Sequence, residues 1–292
     1  MMRTVCGAVI AAWIVVCAPV PVHGAFERMP ASARVAATGG AFVSVADDAA
    51  AALTNPAGLA GLGARELLIT GRRPWGLNVN EAVVAAAAPF SWGAGALAWT
   101  YRGLGGAYAE NVLSLALARD ITRTSEDASL SVGIALDASR AAVSERFDES
   151  DTAFSLGGGV LLRPFPMIAL AYNVRNANAP RIHLVSAAGT ELHREQSWGM
   201  SWYWNDRVTI SMEQRRVGNR AWTTRGGVEV ALPGSAALRS GISQGRGTFG
   251  IGMVSGRYGF DFAYLSGGRL GSTAMVTLNV RSTAGGGDAS RR

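Results

Sequence analysis

The chain has 292 residues and a formal net charge of +6, and only 16% of its residues are charged, against about 25% in an average soluble protein. All 27 basic residues are arginines, which are spread one or two per segment. Nucleic-acid-binding domains cluster their basic residues on one face. We therefore expect no nucleic-acid partner and interpret the arginines as charges at the rim and in the lumen of a membrane protein.

The first 24 residues have the layout of a secretory signal peptide. One positive charge at Arg3 precedes an apolar run over residues 5–16, and the small residues Gly24 and Ala25 follow. We predict that residues 1–24 are removed. The alternative is an uncleaved membrane anchor, which two prolines after the apolar run and the shortness of that run disfavour.

Both cysteines, Cys6 and Cys17, lie in the segment that we expect to be removed. The mature chain is then predicted to have no disulfide and no cysteine metal ligand. No later stretch reaches the roughly 18 consecutive apolar residues that a membrane helix needs.

Residues 25–64 are predicted to form a compact segment that needs a host cavity. The stretch from Ser32 to Ala64 is too rich in small residues and glycine to build a core of its own. We expect a charged group, a glycine bend, a short alanine-rich helix and an Asn-Pro-Ala-Gly turn. We expect Asp47 and Asp48 to pair with Arg34, and a cation bound to the two aspartates is the less favoured alternative. The residues predicted to lock this segment in place are Arg34, Gly39, Gly40, Asp47, Asp48, Asn55, Pro56 and Gly58.

From about Arg65 to Arg281 the apolar residues recur with period two, which indicates strands. We count fourteen such runs of about ten residues, the length of a tilted strand that crosses a bilayer. The opposite face carries Gly, Ala, Ser and Thr with scattered charges, which favours the lumen of a transmembrane antiparallel β-barrel over the outer face of a soluble β-sandwich. The predicted lumen charges are Glu213, Glu229, Arg239 and Asp261.

The connections between these runs support a membrane barrel. Even-numbered connections are tight turns, and the two longest, Ser139–Thr152 and Asn176–Gln196, are odd-numbered. Only Asp120–Ala128 breaks this alternation of short and long connections, which is typical of outer-membrane barrels. A barrel of about fourteen strands is wider than the eight-stranded kind that side chains fill by themselves, so its lumen could hold residues 25–64.

The predicted mature chain has few side chains in a pattern that could catalyse a reaction. Its two histidines, His183 and His193, lie in one long predicted outer loop without a nucleophile pattern. The run Gly157-Gly158-Gly159 lies inside a strand pattern and not before a helix, so it is no phosphate loop. We expect no enzymatic activity, no cofactor and no metal site.

The stretch from Ala33 to Leu59 resembles the N-terminal motif of the PorV/PorQ-type outer-membrane proteins, relatives of the FadL long-chain fatty-acid transporters. An Ala-Arg start, Gly-Gly-Ala-Phe, Asp-Asp and Asn-Pro-Ala-Gly-Leu follow one another at matching spacing. Residues Gly226 to Arg281 resemble the last strands of that family. Two departures are a Thr-Ala-Met at 273–275 in place of Thr-His-Arg, and the lack of a final aromatic residue before the polar tail 282–292.

The resemblance implies a FadL-like barrel of fourteen strands in the bacterial outer membrane, surrounded by lipid and with an N-terminal hatch over residues 25–64. The barrel domain is expected over residues 65–281. The family divides between passage of hydrophobic small molecules and partnership with secreted proteins in type IX secretion, and both functions stay open at this point.

Cell fractionation tests the membrane prediction. We expect the protein in the outer-membrane fraction, and we expect unheated protein to migrate faster than heated protein on SDS gels, because a closed barrel resists the detergent. A soluble β-sandwich would instead appear in the soluble fraction, and heating would not change its migration.

Overall fold

The computed structural model describes residues 26, 29–74, 79–124, 128–143, 149–184, 189–205, 207–267 and 271–282. The predicted signal peptide and all of the predicted tail except Ser282 lie outside these residues.

Strands dominate the described part of the chain. They are β1 (Glu66–Arg72), β2 (Val79–Phe90), β3 (Gly93–Leu104), β4 (Tyr108–Arg123), β5 (Ser129–Val143), β6 (Glu149–Phe165), β7 (Ile168–Arg175), β8 (Arg181–Ile182), β9 (Thr190–Glu191), β10 (Glu195–Trp204), β11 (Val208–Val217), β12 (Thr223–Leu232), β13 (Ala236–Ser243), β14 (Arg246–Ser255), β15 (Tyr258–Leu265) and β16 (Thr273–Arg281).

Fourteen of these strands form one closed antiparallel barrel, and β8 and β9 form a separate two-stranded hairpin. Each barrel strand pairs with its neighbours in sequence, except that β7 pairs with β10 across the hairpin. The barrel closes where β1 pairs with β16, for example Leu68 with Asn279. The predicted fold class, an antiparallel barrel of about fourteen strands with a helix-containing N-terminal segment inside, is confirmed.

The outer surface of the barrel is apolar. In β10, Trp198, Met200 and Trp202 are 47%, 48% and 44% exposed, whereas the alternate residues Ser197 and Ser201 are buried towards the lumen. The same alternation continues around the barrel, and such a large continuous apolar surface needs lipid around it. The barrel therefore spans a membrane with its strands. Within the described residues, no helix has the length and apolar character to cross one.

The two ends of the barrel differ. We call the end where β1 begins and β16 ends the inner end. The longest connection between strands at this end is residues 124–128. The opposite end, here called the outer end, carries the longest connection, residues 176–194, which contains the β8–β9 hairpin. This difference follows the alternation that the sequence predicted.

The predicted long connection Ser139–Thr152 was wrong. Strands β5 and β6 continue through most of it and leave only residues 144–148 between them. Ala141 and Ala153 point inward there and pack in one cluster with Ile182 from the hairpin. Small inward residues give little contrast in the sequence pattern, so the strand ends were placed too early.

The N-terminal segment lies inside the barrel. Residues 29–61, which we call the plug, contain helix α1 (Ala33–Ala37), helix α2 (Ala51–Thr54) and a 3₁₀ helix (Pro56–Gly61). Helix α1 was not predicted; the Ser32 side chain caps it by accepting a hydrogen bond from Val35 N at 3.2 Å. Helices of four to six residues are not stable alone, so the barrel wall supports them.

Glycines on the lumen face let the plug lie directly on the wall. A Cβ atom added at Gly241 would come within 2.3 Å of Gly39 N, and one at Gly133 would come within 2.4 Å of Ala57 N. Side chains at these two positions would push the plug backbone away. Part of the high glycine content therefore serves the fit between wall and plug.

We expect Gly241→Val to destabilise the folded protein by about 1–3 kcal/mol, because its side chain overlaps the plug backbone. Gly71→Val is the matched control, since a Cβ at Gly71 meets nothing within 4 Å. Urea unfolding followed by loss of heat-modifiable migration measures both variants. Equal stabilities of the two variants would contradict the close fit.

Candidate functional site

An ionic cluster holds the plug to the wall near the inner end. Arg34, in α1, donates from Nη1 to Asp47 Oδ1 at 2.5 Å and to Asp48 Oδ2 at 3.2 Å. The same guanidinium donates from Nε and Nη2 to the two carboxylate oxygens of Glu229 in β12, at 2.8 and 2.9 Å. Arg34 thus links the three carboxylates, two from the plug and one from the wall.

The cluster extends along the wall. Arg239 in β13 donates to Glu229 Oε2 and to Asp261 Oδ1, both at 2.5 Å. The structure therefore brings three of the four predicted lumen charges together with Arg34 in one network. We call this set, Arg34, Asp47, Asp48, Glu229, Arg239 and Asp261, the ionic cluster.

Burial sets the electrostatics on the plug side of the ionic cluster. Burial raises the pKa of the Asp48 carboxyl, and the nearby Arg34 opposes that rise. For Arg34, burial alone would lower the pKa, but Asp47 and Glu229 raise it well above its usual value. The guanidinium therefore stays charged, and removing its partners would leave a buried unpaired charge.

The fourth predicted lumen charge, Glu213, binds the plug in a different way. Its Oε2 accepts hydrogen bonds from Phe42 N and Val43 N, each at 3.1 Å. Glu66 does the same for Ala49 N at 2.9 Å. Glu66 was not predicted, because a carboxylate at the start of a strand gives no sign of which amide it will meet.

Hydroxyl groups of the wall complete the backbone contacts. Thr248 Oγ1 accepts from Gly39 N at 3.1 Å, and Thr277 Oγ1 accepts from Ala33 N at 2.8 Å. Gly39 and its neighbour Gly40 have φ values of 66° and 80°, so they form the predicted bend after α1. The bend brings Gly39 onto the wall.

The Asn-Pro-Ala-Gly turn connects helix α2 to the 3₁₀ helix and lies against the wall. Asn55 Nδ2 donates to Val43 O at 2.9 Å, and its Oδ1 caps the 3₁₀ helix by accepting from Ala57 N at 3.2 Å. Pro56 is the first residue of that helix. Gly58 lies against the plug backbone, since an added Cβ would come within 1.9 Å of Ala46 O. Asn55 Nδ2 also donates to Val160 O in β6 at 3.3 Å, so the turn contacts the wall as well as the rest of the plug.

A buried ion pair between two wall strands contacts the plug on the opposite part of the wall. Arg175 Nη2 binds both carboxylate oxygens of Asp137 at 2.6 and 2.7 Å, and Nη1 donates to Ala52 O at 3.0 Å. The two side chains are almost fully buried. This pair was not predicted from the sequence. Both residues occupy inward positions in their strands, but only the barrel register shows that they meet.

A cavity of about 420 Å³ opens at the outer end, above the plug. We call it the vestibule. Its floor includes the apolar residues Met29, Val35 and Leu53. Its wall carries the charged residues Arg72, Glu81, Arg102, Glu195, Arg215, Glu213, Arg225 and Arg246.

Several wall charges of the vestibule pair with one another. Glu81 accepts from both Arg72 and Arg102, the latter at 2.6 Å, and Glu195 lies 2.6 Å from Arg215. The vestibule therefore combines an apolar floor with polar walls whose charge is partly neutralised.

The start of the described chain lies against the wall at the outer end. Phe26 N donates to Glu110 Oε1 at 2.9 Å. Phe26 also packs against the apolar cluster that contains Ile182 and Leu192 at the outer end. A smaller cavity of about 80 Å³ lies between Phe26 and Arg175.

The two predicted loop histidines are exposed at the outer end, away from the vestibule floor. His183 Nδ1 lies 3.6 Å from Asp151 and His193 Nδ1 lies 3.3 Å from Glu191. In the described part of the chain, no group of three or more His, Cys, Asp or Glu side chains is arranged to hold a metal ion.

Comparison of the sequence with protein-family models and with curated proteins gives no match. Solved structures match well. The toluene transporter TbuX of Ralstonia pickettii has a TM-score of 0.61 at 13% identity, over 86% of this chain and 98% of that one. The toluene transporter TodX of Pseudomonas putida has a TM-score of 0.61 at 10% identity, over 87% and 99%. The fold is that of the FadL-type barrels. A FadL homologue from Pseudomonas aeruginosa also matches, with a TM-score of 0.57 at 11% identity over 86% and 97%.

We expect the double variant Asp47→Ala/Asp48→Ala to loosen the plug, because Arg34 then loses two of its three carboxylate partners while it stays buried. Conductance in planar bilayers and trypsin cleavage within the plug should both increase. The control is Asp151→Ala/Glu191→Ala, which removes two carboxylates from the outer end. Unchanged conductance together with unchanged protease resistance would count against the ionic cluster as a lock.

We expect Arg175→Met to destabilise the barrel by about 3–5 kcal/mol, because the buried Asp137 carboxylate then loses the guanidinium that pairs with it. Adding Asp137→Leu should recover most of that loss, since an apolar pair leaves no buried charge. Urea unfolding of the single and double variants measures the difference. A double variant no more stable than Arg175→Met would show that the pair is not the source of the effect.

Proposed function

We propose that the protein is an outer-membrane channel that transports hydrophobic small molecules through a plugged barrel. The observation that carries this proposal is the vestibule. It is large enough for a small organic molecule, opens at the outer end, and has apolar plug residues as its floor. A solute that enters there meets the plug before anything else.

Passive flow of water and ions is a poor candidate function for this barrel, because the plug lies in the lumen. The Arg34–Glu229 ion pair and the hydrogen bond from Arg175 to Ala52 O fix the plug at both sides of the lumen. A molecule that binds the apolar floor contacts Met29 and Leu53 directly, and Leu53 belongs to α2, whose Ala52 carbonyl Arg175 holds. Solute binding would thus act on the same element that closes the lumen.

The likeness to solved barrels supports this class of solute. Two of the similar structures are described as toluene transporters, and a third as a monoaromatic hydrocarbon channel. At 10–13% identity these structures share only the fold with this chain. The proposed class of solute therefore depends on the apolar floor of the vestibule. We propose no enzymatic activity for the barrel.

The resemblance of Ala33–Leu59 to PorV/PorQ-type proteins supports an alternative function. In that case the barrel would hold secreted proteins at the cell surface as a partner of a type IX-like secretion system, and the plug would be permanently closed. The two functions differ in one measurable respect, because a scaffold need not accelerate the uptake of any small molecule.

Uptake of radiolabelled toluene and oleate by cells that produce the protein tests the transport proposal. We expect faster uptake of at least one compound than in cells without the protein. Ser243 lines the vestibule, so the large side chain of Ser243→Trp should fill part of this cavity and reduce the uptake severalfold. Ser240→Trp on the same strand is the matched control, because that residue faces outward and is exposed.

Two results would contradict transport through the vestibule. One is wild-type uptake no faster than in cells without the protein for both compounds. The other is equal uptake by the Ser243→Trp and Ser240→Trp variants. Co-purification of secreted proteins together with the first result would support the scaffold function.

A further inference from the structure

A groove of about 560 Å³ lies on the membrane-facing side of the wall at the inner end. It exists because the strands there differ in length. Strand β1 begins at Glu66, which pairs with Ala87, whereas β2 continues to Phe90 and turns into β3 beyond that point. The last residues of β2 therefore extend past β1 and leave a notch in the outer surface.

Small residues deepen the notch. Ala86, Ala88 and Gly95 face outward along its floor, and larger outward side chains, Leu67 and Leu97 among them, border it. A Cβ atom added at Gly95 would lie 3.1 Å from the Phe90 ring, so the glycine lets that ring pack down against the wall. Away from its arginines, the groove is lined mainly by apolar side chains.

Three arginines stand at the inner end of the groove. Backbone hydrogen bonds bring them together, since Arg281 N donates to Arg257 O at 2.8 Å and Ser282 N donates to Arg65 O at 2.9 Å. Glu66, which also accepts from Ala49 N of the plug, pairs with Arg281 at 2.8 Å, so this guanidinium is held on the lumen side. Three guanidinium groups against one carboxylate give this end an excess of positive charge beside an apolar channel.

We propose that this groove binds one phospholipid of the inner leaflet, with an acyl chain along Ala86 and Ala88 and the phosphate at Arg65 and Arg257. Guanidinium groups bind phosphate oxygens through paired, charge-assisted hydrogen bonds. The inner end of a transmembrane barrel lies at the level where lipid phosphates are found. The proposal rests on the barrel's place in the membrane and not on the solute that it transports.

A peptide is a poorer occupant of this groove than a lipid. The floor offers side-chain methyl groups and a glycine, and a peptide backbone laid there would have unsatisfied polar groups in a lipid-facing position. Inorganic phosphate would use the arginines but would leave the apolar groove empty. A phospholipid satisfies both parts of the site at once.

Native mass spectrometry of the full-length mature protein, delipidated in a non-ionic detergent and titrated with phosphatidylglycerol, tests the proposal. We expect a saturable one-to-one adduct. Ala88→Trp fills the groove and should weaken binding by about tenfold or more, as should Arg65→Gln/Arg257→Gln, which removes two phosphate contacts. Ala274→Trp, an outward substitution at the outer end, is the matched control. Heat-modifiable migration confirms that each variant is folded.

Diacylglycerol, which has the acyl chains without the phosphate, is the second probe. It should bind wild-type protein about tenfold more weakly than phosphatidylglycerol does. Equal binding of the two lipids would overturn the role of the arginines. Equal phosphatidylglycerol binding by the Ala88→Trp and Ala274→Trp variants, or the lack of a saturable adduct with wild-type protein, would overturn the groove as a site.

Discussion

A backbone enclosed in a barrel needs a hydrogen-bond partner for every amide that neither helix nor sheet satisfies. The plug has only three short helices, so many of its amides must find partners on the wall. Glu213 accepts two of them and Glu66 another, while Thr248 and Thr277 each accept one. The lumen face is therefore polar at selected positions because it replaces the partners that water would supply.

The same requirement explains how wall and plug depend on each other. Fourteen strands enclose more space than their own small inward side chains fill, and a plug so rich in alanine and glycine has no independent core. The ionic cluster around Arg34 and the hydrogen bond from Arg175 to Ala52 O fix the plug at two separate places on the wall. Movement of the plug thus requires disruption of buried charges, which is unfavourable unless a ligand supplies compensating contacts.

Much of this fold could be predicted because lipid-facing residues are large and lumen-facing residues are small. The fourteen barrel strands follow from that contrast, whereas the N-terminal segment was placed inside them because it is too rich in small residues and glycine to build its own core. The predicted strand ends were wrong where inward and outward residues differ little in size, as at Ala141 and Ala153 near the outer end. Helix Ala33–Ala37 was not predicted because it is too short to show a helical period. The ion pair of Arg175 and Asp137 could not be predicted, because strand register and barrel closure bring these distant residues together.

Cross-linking between plug and wall tests most directly whether the plug fills the lumen. Ser44 in the plug and Ser201 in β10 have their Oγ atoms 2.7 Å apart, close to the roughly 2.05 Å of a disulfide bond. The chain's own cysteines, Cys6 and Cys17, lie in the predicted signal peptide. Ser44→Cys/Ser201→Cys should form a disulfide in the folded barrel, detected by mass spectrometry of linked tryptic peptides. A folded, heat-modifiable barrel whose two cysteines stay reduced under oxidant would contradict a plug in this position.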